Sequence, residues 1–200
     1  METLLLALAL AALYIAFLAL LELSRRKFGV SAEITRRIAH IGTGLCTLLN
    51  FSLLPSPWFL SLVVVALIGG LISQRFGILT AIHAVTRKTY GEVFLPLGTL
   101  ISFVICSGNK EIFVPSILVL TFADSFAGLV SNFYKQPRKM FRGSLVFFAV
   151  SLVVLLSTSS ADIWLALLIS AALTLVERVS PLGSDNLTVP AAAALFLLLL

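Results

Sequence analysis

The sequence predicts an all-α, polytopic transmembrane helix bundle of about seven or eight spans, with the N-terminus outside and the motif-bearing loops in the cytoplasm. Three observations predict it. Hydrophobic residues make up 60% of the 200-residue chain and charged residues 12%, at a mean hydropathy of +1.10. That balance belongs to chains whose solvent is a bilayer. The apolar residues also fall into runs near the length of a helical crossing, which takes about 20 residues for a hydrocarbon core of roughly 30 Å. Finally, the 14 Lys and Arg gather in alternate connections. Arg25, Arg26, Lys27, Arg36 and Arg37 follow the first run, and Arg75, Arg87 and Lys88 the third. Lys135, Arg138, Lys139 and Arg142 follow the fifth and Arg178 the seventh, leaving Lys110 alone on the other side. The positive-inside rule then sets the orientation. The net charge of +5 is accordingly a matter of topology and gives no nucleic-acid signal.

The runs follow in order. The first, 3–23, has no basic region ahead of it and reads as a retained span, not a cleaved signal peptide. The second and third cover 38–54 and 58–73. In the connection after them Phe76, Leu79, Ile82 and Val85 recur at helical spacing opposite His83, Arg87 and Lys88, the pattern of a helix lying on the inner leaflet. The fourth run is 93–107 and the fifth 112–134, with 144–158 and 163–176 after it. The last, 187–200, contains Pro190 and reaches only about 21 Å, so it reads as a tilted or half-crossing helix or one cut short. The whole is expected to be one integral membrane domain: 1–33 a first span and linker, 34–190 a catalytic region, 187–200 a short last helix. Cys46 and Cys106 lie in apolar runs and read as small buried hydrophobes.

The chemistry sits on the basic side. Asp124 interrupts an apolar run, and a carboxylate at that depth needs a protein interior or wet cavity and a cation or proton as partner. On a regular helix Thr121, Asp124, Gly128, Ser131 and Lys135 share one face, a polar stripe leading to Lys139 and Arg142. Arg36, Arg37 and His40 stand together at the start of the second run, either as a phosphate clamp or as topology anchors. Gly42 and Gly44 beside them read as sites of close helix contact. Glu92 opens the fourth run, where the helix dipole favours an acid, and Pro96 follows it. Glu177 closes the seventh run, and Asp185 or Asn186 is placed to cap the next helix after Pro181 and Gly183. Four acids, Asp124, Glu177, Asp185 and Glu92, among many cations compose a magnesium–nucleotide site. No P-loop spacing occurs.

These segments, RRIAH, YGEVFLPLG, FADSFAGLV, RKMFRGS and ERVSPLGSDNLTVP, resemble in that order the motifs of the polyprenol kinase family, which includes dolichol, phytol and farnesol kinases and CTP-dependent diacylglycerol kinases. The resemblance covers 34–190, and its most specific piece is a glutamate followed eight residues later by DNLTVP. The chain departs from the family in VSNFYKQPRK, where members carry glycines. The resemblance implies a membrane enzyme that moves the γ-phosphate of a nucleoside triphosphate, typically CTP, to a lipid alcohol with Mg²⁺. It implies that Asp124 matches the intramembrane aspartate, that Lys139, Arg142, Gly143 and Ser144 belong to the nucleotide-binding loop, and that Glu177, Asp185 and Asn186 form the final motif. Mg²⁺ would then lie on Asp124 and one of Glu92, Glu177 or Asp185, with Lys135, Lys139, Arg142 and Arg37 toward the phosphates and a carboxylate or His40 as base. The expected setting is a bacterial inner membrane or an organelle membrane, with the site on its cytoplasmic face. Phosphatidate cytidylyltransferase-like chemistry is the second reading, and a transporter or scaffold the third.

Overall fold

Caps, glycines and prolines divide the apolar chain into helices. The structure, a computed structural model, describes residues 1–83, 89–133 and 141–200, among which the regular elements are helical and no strand occurs. The chain divides into two units, Met1–Lys88 and Thr89–Leu200.

In the first unit, α1 (Glu2–Phe28) ends where Gly29 turns left-handed, at φ 66°, and its N–H closes on the Arg25 carbonyl. Arg25, Arg26 and Lys27 occupy the last turn, where the helix dipole favours cations. Ser31 caps α2 (Ala32–Leu53) by accepting the Ile34 N–H at 3.4 Å. That cap starts the helix six residues before the predicted span, so Arg36, Arg37 and His40 lie within it. Pro55 precedes α3 (Ser56–Phe76), which Gly77 terminates at φ 61°. A single turn, α4 (Thr80–His83), follows. Its Ala81 packs with Leu21 and Ala39, against which Phe17, Leu18 and Ile82 also rest. Glu22 accepts the Thr80 hydroxyl and the Ala81 N–H, each at 2.7 Å, and the Thr35 hydroxyl donates to the Ala81 carbonyl at 2.7 Å. The predicted inner-leaflet helix is thus one pinned turn among the described residues, because Phe76 belongs to α3 and Gly77 breaks the run. Val85, Arg87 and Lys88 lie outside the described residues. Gly42 makes the close contact expected of it: a Cβ there would strike the Phe17 ring.

The second unit contains α5 (Gly91–Ile105), α6 (Lys110–Leu118), a π-helical turn (Val119–Asp124), α7 (Ser125–Phe133), α8 (Phe141–Thr158), α9 (Ile163–Val179) and α10 (Asp185–Leu198). Asn109 caps α6 by accepting the Glu111 N–H, and Asp162 caps α9 by accepting that of Leu165, each at 2.9 Å. The run from α6 through α7 is central. The most apolar 18 residues of 110–131 are 61% buried, against 33% for α8. Phe113, Ile117 and Leu120 of this run are fully buried, as are Phe147 and Leu155 of α8, Leu173 of α9 and Val189 of α10. Helix α10 lies against α5, α6, α9 and the π turn.

Among the described residues four helices are long and apolar enough to cross a membrane: Glu2–Phe28, Ser56–Phe76, Lys110–Ser131 and Phe141–Thr158. The expected fourth and eighth spans are helices of 15 and 14 residues, about 22 Å long at most, short of a roughly 30 Å core. Leu5, Leu8, Leu13 and Ile15 of α1 are more than half exposed, an apolar face suited to lipid.

Candidate active site

Three carboxylates from three elements of the second unit converge. Asp124 ends the π turn, Glu177 lies in the last turns of α9, and Asp185 opens α10. One oxygen from each lies within 4.8 Å of the others, and all three residues are buried, at 9%, 7% and 8% exposure. Two unit charges at that distance repel by about 3.5 kcal/mol at an effective dielectric of about 20. Holding all three ionised therefore requires positive charge close by, and a divalent cation supplies it in the most compact form. The donors are hard oxygens, the set that suits Mg²⁺ or Mn²⁺ rather than a thiophilic metal.

Local turn chemistry brings Glu177 and Asp185 together across eight residues of sequence. After α9, Pro181 prevents the helix from continuing, and Leu182 and Gly183 adopt left-handed φ values of 55° and 83°. The Ser180 and Thr188 hydroxyls bond at 2.6 Å and close the loop on itself. The Leu182 carbonyl accepts the Tyr90 N–H at 3.0 Å, and Gly183 sits so close to Thr89 and Gly91 that a Cβ there would collide with the Thr89 hydroxyl. One residue into α10, Asn186 donates its amide to the Gly91 carbonyl at 3.0 Å, and its N–H bonds the Asp185 carboxylate at 3.1 Å. Gly98 allows α10 to approach α5: a Cβ at that position would strike the Asn186 carbonyl and come within 2.8 Å of the Leu187 Cα. The first turn of α10 is thereby fixed against α5.

Asp124 is set differently. The predicted stripe assumes 3.6 residues per turn, but the helix widens over Val119–Asp124, and Asp124 emerges at the end of that wider turn. Such turns are costly to regular helices and concentrate at functional sites.

The remaining predicted residues are distributed as follows. Glu92 stands in the first turn of α5, where its dipole argument placed it, and is not part of the three-carboxylate group. Gly143 and Ser144 lie in the first turn of α8, buried, and not in a loop. A Cβ on Gly143 would lie 2.5 Å from the Ser131 hydroxyl, so this glycine is needed for α8 to approach α7. Arg142, beside them, is exposed. Lys135, Arg138 and Lys139 lie outside the described residues. Arg36 and Arg37 belong to the first unit, where both reach Glu33, at 3.5 and 3.4 Å. His40 is one turn further along α2 and half-buried. Neither Asp185 nor Asn186 is the N-cap of α10; Ser184 holds that position. Sequence reading missed the Gly91 carbonyl and Gly98, whose partners on α10 are about 90 residues away and leave no local signal.

No family model and no solved structure matches the chain. It is similar to the phytol kinase of Synechocystis sp., with 31% identity over 207 residues, covering 94% of this chain and 89% of that protein. Set beside the order of its acidic and basic segments, this likeness over nearly the full length of both proteins shows that the chain belongs to the polyprenol/phytol kinase family.

Proposed function

We propose that this protein is a membrane lipid-alcohol kinase that transfers the γ-phosphate of a nucleoside triphosphate, CTP, to an isoprenoid alcohol of the phytol class. The convergence of Asp124, Glu177 and Asp185 is the observation that carries the reading, and the phytol kinase relative supports the choice of acceptor. The three carboxylates hold Mg²⁺, which when bound neutralises phosphate charge. Arg142, with Lys135 and Lys139 from the adjoining segment, binds the triphosphate. Ser144 and Gly143 shape the start of α8 behind those cations. The alcohol enters from the bilayer with its hydroxyl at headgroup level. Its oxygen bonds to the γ-phosphorus as the bond to the β-bridging oxygen breaks, the nucleoside diphosphate leaves, and the hydroxyl proton passes to a carboxylate. The count of basic residues supports a site on the cytoplasmic face of a bacterial inner membrane or an organelle membrane.

The test is a transfer assay on the detergent-purified chain with γ-labelled CTP and ATP. The acceptors are phytol, farnesol, dolichol and diacylglycerol, with Mg²⁺ present or chelated. Mg²⁺-dependent label in phytol or farnesol, with CTP preferred, is the expected result. Conversion of CTP and phosphatidate to a CDP-lipid would replace this reading with cytidylyl transfer, and absence of both reactions would turn attention to transport or scaffolding.

A further inference from the structure

Asn186 is 6% exposed, yet its side-chain oxygen accepts no hydrogen bond. Most buried amide oxygens are satisfied, so one left open asks for a partner. The side chain is not loosely placed. Its amide nitrogen is bound to the Gly91 carbonyl at 3.0 Å, and a Cβ on Gly91 would come within 2.7 Å of that nitrogen, so α5 holds the amide by one end. Its backbone N–H grips the Asp185 carboxylate at 3.1 Å, which places Asn186 directly beside the three-acid group.

Resting on the reading of those acids as cation ligands, we infer that Asn186 contributes a fourth, uncharged oxygen to the cation held by Asp124, Glu177 and Asp185. Mg²⁺ and Mn²⁺ take amide as well as carboxylate oxygens. A fourth carboxylate would deepen the mutual repulsion of the three, whereas an amide adds a ligand without adding charge. The hydrogen bond to Gly91 assigns the ends of the amide: the nitrogen is spent on α5 and the oxygen is left open. Asn186, which the family resemblance placed only in the final motif, therefore serves the metal.

The experiment measures Mn²⁺ and Cd²⁺ binding to the detergent-purified full chain, Mn²⁺ by electron paramagnetic resonance and Cd²⁺ by calorimetry, for the unmodified protein, Asn186→Ala and Asn186→Cys. Asn186→Ala is expected to weaken Mn²⁺ binding about tenfold or more. Asn186→Cys should lose Mn²⁺ affinity similarly while gaining Cd²⁺ affinity, because a thiolate selects the softer ion. Unchanged Mn²⁺ binding in Asn186→Ala overturns the inference and leaves the three-carboxylate site standing. Loss of Mn²⁺ in Asn186→Cys without a gain in Cd²⁺ assigns the residue only to fastening α10 on α5, and also overturns it. No Mn²⁺ binding by the unmodified protein removes both the inference and the metal site beneath it.

Discussion

Replacing Gly98 with alanine tests whether the contact between α5 and α10 sets the site. The added Cβ would strike the Asn186 carbonyl and lie 2.8 Å from the Leu187 Cα and 3.1 Å from the Pro190 Cγ. Two of these obstacles are backbone, so no side-chain rotation relieves them. The first turn of α10 must move by about 1 Å to restore ordinary contact distances. Overpacking of this kind costs roughly 1–3 kcal/mol. Alanine also returns up to about 1 kcal/mol of helix propensity over glycine. The net loss is then about 0–3 kcal/mol, or roughly 0–12 °C in Tm for a protein of this size. Stability is thus a blunt readout, whereas displacing Asp185 and Asn186 by about 1 Å reaches directly into the site, where such shifts cost on the order of 10²-fold in rate. The assay is the transfer rate at saturating substrates, with Mn²⁺ affinity and a thermal melt in parallel. Gly69→Ala is the control, since a Cβ there meets nothing within 4 Å inside α3; it should raise or hold Tm and leave transfer unchanged. Gly98→Ala with full activity and unaltered Mn²⁺ affinity would refute the argument that this helix contact positions the carboxylates.

Three further predictions concern single elements. Asp124→Asn removes a charge with little change of volume, so the fold should persist in a thermal melt while transfer falls at least about 10³-fold; an active variant would exclude Asp124 as an essential ligand. Leu182→Pro forces φ from 55° to about −65° in the loop that sets Asp185. It should abolish transfer and lower Tm, whereas Leu182→Gly should stay within about 1 kcal/mol of the parent because glycine adopts that φ freely. Asn109→Ala removes the cap bond to the Glu111 N–H and should cost about 1 kcal/mol in a denaturation experiment with saturated transfer unchanged. A large loss of transfer there would mean that the start of α6 bears on the chemistry.

The helical class, the apolar surface and the identity of the acids were legible because they depend on local properties. A carboxylate in an apolar run is conspicuous whatever surrounds it, which is why Asp124 could be singled out, while Glu177 and Asp185 stood out as acids at helix ends on the basic side. Glu92 looked equivalent on the same grounds, and only packing separated it from the group that converges. The stripe through Asp124 was drawn on a uniform helical period, and the sequence carries no mark of the wider turn at Val119–Asp124. The family resemblance put Gly143 and Ser144 in a nucleotide-binding loop, yet they lie in the first turn of a helix whose close approach to α7 the glycine permits. Sequence by itself determined the solvent, the helices and the stock of charged ligands, since hydropathy, caps and charge act over a few residues. Tertiary structure alone decided which acids meet and how the Asn186 side chain is held, because Gly91 and Gly98 act on α10 through contacts between helices far apart in the chain.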